Sequence, residues 1–466
     1  MTRKYISAGV WSMTISNAIF VFNFLSGILI ARLLGPEPYG IFTFIASLQA
    51  IIAIFISLPI CLPFISSDGS QQVFDAAWIL SFLVGCLHFL FGLIGGMVLG
   101  FAYGFQSGTI FFILSSAQLF RVMASLYLAP YEKNMNFKKV LTINGSANVI
   151  GVAVALLAAW YGSGVWSLVG REVIPSLALW IMVYRFTTMR FSGSWTRSDC
   201  TLLLRESIKF LGSRILEQGF FRAPFVLIGH LFGQIRLGLF NQAFYMASLP
   251  NTLLSPISER VAFAGYAQAR GGIDKISKGL FVTNYLVVRV VAPLGLGIYL
   301  FGDRLIYLLY GEKWRVAGGM FAVLGLFAAL NPLFANVKTA CYGINRQHWV
   351  SHAYLLSLLA LSIAIVFASQ IDNMKALSIG YGIAIATGLA YMLIRLSSYG
   401  VGLMLRKLVT PPLLYFLLIV LFQLVKPIST KSTNDHLYLS SLILLYPVLI
   451  LVLEGKEIRQ MVGMLR

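Results

Sequence analysis

Acidic side chains are scarce in this chain: 16 Asp and Glu stand against 35 Lys and Arg in 466 residues, and only 11% of all residues are charged. With a hydrophobic fraction of 58%, that composition excludes an ordinary soluble globular protein. Cysteine is sparse too. Cys61, Cys86, Cys200 and Cys341 show no CxxC spacing, and three of them sit inside apolar runs, which argues against a disulfide framework or a zinc site. They read as small packing residues. Histidine offers one pair at helical spacing, His348 and His352, with no third ligand near it, so no metal site is expected. No P-loop, HExxH, DxD or GxSxG arrangement is present. Long polar loops are also missing. Without a sizeable outward loop to carry catalytic carboxylates or arginines, a membrane glycosyltransferase, polymerase or ligase is disfavoured, and no enzymatic activity is expected.

What the chain has in abundance is apolar runs of about 20 residues, the length that crosses a ~30 Å hydrocarbon core at ~1.5 Å per residue. They predict an all-α integral membrane protein of about 14 transmembrane helices. The expected spans are 9–32, 40–64, 74–103, 108–130, 140–160, 164–184, 208–232, 236–256, 280–301, 317–343, 349–369, 376–396, 409–426 and 437–453. The basic start and apolar continuation of the N-terminus superficially suit a signal peptide. The run continues to Ala31 without a convincing cleavage site, so an uncleaved first span is expected.

One stretch is written twice. ILIARLLGPEPYGIF, from Ile28 to Phe42, reappears as VLIGHLFGQIRLGLF, from Val226 to Phe240, at an offset of 198 residues. Leu29/Leu227, Ile30/Ile228, Leu33/Leu231, Gly35/Gly233, Gly40/Gly238 and Phe42/Phe240 match without a gap. An internal duplication follows. It divides the chain into an N-lobe over 1–195, a C-lobe over 196–396, and a C-terminal helix pair with a cytoplasmic tail over 397–466. The two lobes are pseudo-symmetric, with six helices in each. An even span number makes the repeats parallel, with a cavity expected between them.

Charge sets the orientation. Lys133, Lys138, Lys139, Arg185, Arg190, Arg197, Arg205 and Arg346 lie on one side, which the positive-inside rule makes cytoplasmic, together with both termini. The excess of positive charge therefore belongs with anionic headgroups and cytoplasmic loops, not with nucleic acid. The basic segments Arg185–Ser207 and Ser258–Gly279 look amphipathic and are expected on the membrane surface. Asp75, close to the same boundary, reads as interfacial.

Six cations fall inside spans: Arg121, Arg171, Arg214, Arg222, Arg289 and Lys338. Each would cost about 2.5–3.5 kcal/mol against lipid, so they must face protein or water. Arg121, Arg222 and Arg289 are nearest mid-span, whereas Arg214 and Lys338 are close enough to the ends to snorkel. In KFLGSRILEQGFFRAPF, Arg214, Gln218 and Arg222 recur at i, i+4 and i+8, forming one polar stripe with Glu217 adjacent. The repeat-related positions hold Ser16, Ile19, Phe20 and Phe24, so the stripe belongs to the second copy alone. Arg171 and Glu172 point about 100° apart on a helix and should bond to other helices, and Pro175 should kink that helix at the Arg171 carbonyl. A cationic wall with few deep acids suits an anionic, phosphate-bearing cargo, because guanidinium forks engage phosphate oxygens two at a time. The candidate substrate-binding residues are Arg121, Arg171, Arg214, Gln218, Arg222, Arg289 and Lys338. Glu172, Glu217 and Asp303 are candidates for charge pairing or for binding a coupling ion, H+ or Na+. No cofactor is called for.

ARLLGPEPYGIF (Ala31–Phe42), SPISERVAFAGYAQA (Ser255–Ala269) and YGEKWRVAG (Tyr310–Gly318) resemble the polysaccharide transporter branch of the multidrug/oligosaccharidyl-lipid/polysaccharide exporter superfamily. The resemblance implies a V-shaped bundle that flips undecaprenyl-diphosphate-linked oligosaccharide across a bacterial inner membrane by alternating access, for O-antigen or exopolysaccharide synthesis. Its implied partners are that lipid-linked sugar, membrane lipids, and a polysaccharide polymerase with its chain-length machinery. A multidrug exporter of the same superfamily is the nearest alternative, although cationic drugs would favour carboxylates in the lumen. A non-transporting scaffold is disfavoured by the intramembrane charges.

Overall fold

The computed structural model describes residues 2–397, apart from 188, 209–210, 269–272 and 329, together with 417; side chains are described from 15 onward, except also 211–214, 253–279, 281–283, 286 and 290. The described chain is helical. In order, the helices are α1 (Thr2–Leu34), α2 (Pro36–Ile56), α3 (Cys61–Ser66), α4 (Gln71–Tyr103), α5 (Phe105–Lys133), α6 (Phe137–Trp160), α7 (Val165–Phe186) and α8 (Arg197–Ile208). They continue as α9 (Leu211–Phe232), α10 (Gln234–Gln268), α11 (Ile273–Tyr310), α12 (Arg315–Leu326), α13 (Leu330–Gly343), α14 (Gln347–Gln370) and α15 (Met374–Leu396). Among the described residues, nine helices are long and apolar enough to cross a membrane, and ten if α12 and α13 count as one broken span. The first six expected spans are all among them. α9 and α10 form helices at the expected places but are not among the nine. The expected spans at 409–426 and 437–453, and nearly all of 397–466, lie outside the described residues.

Two details differ from the sequence expectation. The second span ends early, at Ile56, where Ser57, Leu58 and Pro59 interrupt the helix before the short α3. A proline there supplies no backbone donor to continue the ladder. The tenth span is broken, with α12 and α13 inclined by 45° to each other. Pro332 in the first turn of α13 accounts for the break, because its ring cannot continue the helix from Ala328.

The chain forms two compact units, Met1–Gly238 and Leu239–Arg466. In the first unit α4 and α5 pack most extensively. Their crossing is lined with small residues: a Cβ on Gly92 would lie 2.7 Å from Ser115 Cβ, and one on Gly96 would lie 2.9 Å from the Gly108 carbonyl oxygen. In lipid, helices gain little from hydrophobic burial, so close approach of backbones supplies the packing energy. At one end of this unit Phe64, Phe74, Leu126 and Tyr127 form a core, with the Phe64 and Phe74 rings 5.8 Å apart, edge to face.

The α7–α8 linker is fastened to that same end. Asp75, fully buried, accepts bonds from the backbone N–H groups of Ser192 (3.2 Å) and Ser194 (2.8 Å) and from both of their hydroxyls. Gln71 Nε2 adds a fifth at 2.8 Å. The reading of Asp75 as interfacial and not buried is therefore corrected: it is fully buried, and its serine donors lie more than 100 residues away in sequence. α8 buries Leu203 and packs on α4 and α3. The second linker, 258–279, falls on residues whose side chains are not described.

The duplicated hairpins have matching turns. Gly35 (φ 85°) and Gly233 (φ 83°) both adopt the left-handed region that other residues avoid. Their partners make reciprocal contacts. A Cβ on Gly40 would overlap the Gln234 carbonyl, and one on Gly238 would overlap the Pro36 carbonyl. Position 234 is the repeat equivalent of 36, so the two contacts are copies of each other.

In the second unit α11 packs on α12, and α14 on α15. Trp314 is fully buried in the turn Glu312–Trp314, with its ring centroid 5.9 Å from that of Tyr310. Phe244 and Tyr381 meet edge to face at 4.9 Å.

Candidate functional site

The first unit encloses a cavity of about 520 Å³. Four helices supply its polar lining: Gln49 from α2, with Ser57 at its C-terminus; Gln118 and Arg121 from α5; Glu172 from α7; and Gln218 and Arg222 from α9. The apolar remainder includes Phe42, Ala46, Ala50, Ala53, Ile54 and Leu114. Helical spacing explains the grouping, since Gln118 and Arg121 are i and i+3, and Gln218 and Arg222 are i and i+4.

Arg121 is held at the centre. Its Nη2 donates to Glu172 Oε1 at 2.6 Å and to Ser176 Oγ at 3.3 Å, while Nε also reaches Ser176 at 3.4 Å. Ser176 in turn donates to the Glu172 carbonyl at 3.1 Å. The ion pair is not enclosed. Its two side chains are 45% and 44% exposed, so it lines open space instead of closing an interior. Glu172 also attracts the charge of Arg222, which gives one carboxylate two guanidiniums in one chamber. Gln49 is buried, and its Nε2 has no hydrogen-bond partner among the described residues. Such a donor is costly to leave unpaired, by about 1–3 kcal/mol, so a ligand or water oxygen at the cavity wall satisfies it best. Ser57 hydrogen-bonds His88 Nε2 at 2.9 Å behind the wall, which makes His88 a buried, partnered residue.

Of the residues singled out by sequence, Arg121, Glu172, Gln218 and Arg222 come together here. Arg171 turns the other way. Its Nη2 donates to the Asn23 carbonyl on α1 at 3.1 Å, and a Cβ on Gly27 would sit 3.5 Å from its Nη1. Arg171 and Glu172 thus bond to different helices, as their 100° separation implies. α7 runs continuously through Pro175, against which Gly151 of α6 packs. Glu217 is half-buried on α9 and is not part of the cavity lining. The side chain of Arg214 lies outside the described residues. In the second unit, the Arg289 guanidinium lies over the Tyr285 ring, 3.0 Å from its centroid, and donates to the Tyr285 carbonyl at 3.2 Å. Lys338 is half-buried on α13. Asp303 lines a separate cavity near the end of α11. His352 bonds the Tyr391 hydroxyl at 2.9 Å, with the His348 ring 6.1 Å away.

Gln49, Ser57 and Gln118 were not anticipated. A usable signal was present for two of them: Gln49 interrupts an otherwise apolar run, and Gln118 stands one turn before Arg121.

Comparison with known proteins gives a consistent result. Residues 29–318 match the family model described as "Polysaccharide biosynthesis protein". The chain is 23% identical over 344 residues to the succinoglycan biosynthesis transport protein ExoT of Rhizobium meliloti (strain 1021), covering 71% of this chain and 66% of that protein. It is 22% identical over 310 residues to the teichuronic acid biosynthesis protein TuaB of Bacillus subtilis (strain 168), covering 64% and 63%. The match thus spans slightly less than two thirds of the length of each of these relatives. Among solved structures, the lipid II flippase MurJ in an inward closed conformation has a TM-score of 0.70 at 11% identity, covering 97% of this chain and all of that one. An inward-facing multidrug resistance MATE family transporter of the MOP superfamily has a TM-score of 0.63 at 15% identity, covering 82% and 95%. At such low identity these two establish a common fold.

Proposed function

Because the chain belongs to the polysaccharide biosynthesis protein family of membrane transporters, we propose that it translocates a lipid-linked oligosaccharide by its diphosphate, which binds in the first unit's cavity. The observation that carries this reading is the Arg121–Glu172–Arg222 arrangement in an open chamber of about 520 Å³. Two guanidiniums offer forked donors to phosphate oxygens. Glu172 keeps the empty site near charge balance and holds Arg121 in place until an anion competes for it. Gln49, Gln118 and Gln218 add neutral groups able to bond phosphate or sugar oxygens. The relatives' names, which concern succinoglycan and teichuronic acid, agree with a glycan cargo.

In this reading the sugar travels through water-filled space while the polyprenyl tail remains in lipid, and the transporter alternates between inward and outward access. Both termini face the cytoplasm of a bacterial inner membrane, following the distribution of basic residues. Arg289, Lys338 and Arg214 stay candidate contacts for the anionic cargo, whereas Arg171 serves as an α7–α1 tie. Glu217 and Glu172 are the acids available to a coupling proton or Na+.

The test is transport by purified protein in liposomes loaded with undecaprenyl-diphosphate-linked oligosaccharide. Changing Arg121 and Arg222 together to Gln abolishes flipping while leaving the protein folded. Undiminished flipping by that variant, or export of cationic drugs in place of the lipid-linked sugar, refutes the proposal.

A further inference from the structure

The second unit has a cavity of its own, of about 650 Å³, within the ~300–1,000 Å³ range of small-ligand sites. α11 supplies Asp303, Arg304 and Tyr307; the following turn and α12 supply Glu312, Arg315 and Gly319; α15 supplies Lys375 from its first turn. Part of the wall is the stretch YGEKWRVAG. Its buried Trp314 anchors the turn, and its final residue, Gly318, meets Asp303.

Two consecutive glycines shape the site. A Cβ on Gly318 would lie 2.6 Å from Asp303 Cα and 2.7 Å from its Oδ1; a Cβ on Gly319 would lie 2.8 Å from Lys375 Cε. The absence of those atoms lets an acid and a base from two other helices rest on the α12 backbone. Asn373 fixes the base's starting point by accepting from the N–H groups of Lys375 and Ala376 at 2.9 and 3.2 Å. Among the described residues, neither the Asp303 carboxylate nor the Lys375 ammonium has a hydrogen-bond or ion-pair partner. Arg315 pairs with Glu312 at 3.3 Å, but those side chains are 72% and 68% exposed, so the pair is weak and available to a ligand.

We infer that this cavity docks an acidic saccharide. Three bases against two acids favour a carboxylate-bearing ligand over a cation. Lys375 and Arg304 donate to the sugar carboxylate, and Asp303 accepts from hydroxyls. Tyr307, 53% exposed, offers a ring to the apolar face of a pyranose. The inference rests on the translocation proposed above in one respect: in that orientation this end of α11 and α15 faces outward, where the glycan emerges.

The experiment titrates full-length protein in phosphatidylcholine nanodiscs with trigalacturonate and with maltotriose, followed by saturation-transfer NMR. Trigalacturonate binds more tightly than maltotriose. Lys375→Gln weakens it roughly tenfold, the loss of one charge-assisted contact. Gly319→Leu, which displaces Lys375, does the same, and Arg121→Gln retains binding. The inference is overturned if trigalacturonate does not bind, if both second-unit variants bind it unchanged, if maltotriose binds equally well, or if phosphatidylglycerol in the nanodisc displaces it. Because flipping is tested by the change of Arg121 and Arg222 together, both in the first unit's cavity, and this titration by changes in the second unit, a failure of the translocation reading leaves the titration intact, and the converse also holds.

Discussion

Replacing Glu172 by Gln gives a sharp test, because the expected sign is counterintuitive. Removing a conspicuous ion pair should tighten anion binding. Among the described residues, Glu172 is the one acid lining the first unit's cavity, together with two arginines. A diphosphate oxygen placed ~6 Å from it would be repelled by about 0.7 kcal/mol per pair of unit charges in a water-like dielectric, and about 2.8 kcal/mol at an effective dielectric of ~20. The ion-pair side chains are 45% and 44% exposed, which favours the lower figure. Releasing Arg121 from a half-exposed pair recovers a further 0.2–1 kcal/mol, roughly. The sum, about 1 kcal/mol, corresponds to about fivefold tighter binding. Calorimetric titration with geranyl diphosphate at low and high salt provides the measurement. The order should be Glu172→Gln above wild type, above Arg121→Gln and Arg222→Gln, with the differences shrinking as salt screens them. If Glu172→Gln binds no more tightly than wild type, the cavity is not an anion site governed by charge.

Other substitutions probe the scaffold. Gly40→Ala or Gly238→Ala drives a methyl into a facing carbonyl and should destabilise the protein by about 1–3 kcal/mol, read as a lowered thermal midpoint in detergent. Asp75→Ala removes the acceptor of five hydrogen bonds. It should cost about 2–3 kcal/mol and expose the linker to trypsin at Arg190, visible as a new cleavage product. Arg171→Leu cuts the bond to α1 and should lower the thermal midpoint while leaving geranyl diphosphate affinity within about twofold, because Arg171 lies outside the cavity.

Much of the helical framework could be read directly, because runs such as 74–103 and 140–160 carry little charge and have clear ends. Helix breaks were harder to see. The apolar residues Ile60 and Phe64 hid the stop at Ser57–Pro59, although the proline was a visible signal, and Pro332 likewise marked the break before α13. Side-chain partners depended on distance along the chain. The divergence of Arg171 from Glu172 follows from helix geometry alone, yet their destinations, Asn23 and Arg121, could come only from the packing. Asp75 shows the limit most clearly, since its serine donors stand on a linker beyond three further helices. Gln49 was overlooked because an uncharged amide in an apolar run carries little weight beside an arginine.

The mirrored glycine contacts have an evolutionary consequence. A surface in which position 40 of one half meets position 36 of the other, twice over, is what two identical chains form across a dyad. A half-length ancestor could therefore have worked as a homodimer, with joining of the genes coming later. Fusion then removed the obligation for both halves to carry the same side chains, and Gln218 and Arg222 now stand where the other half has Phe20 and Phe24.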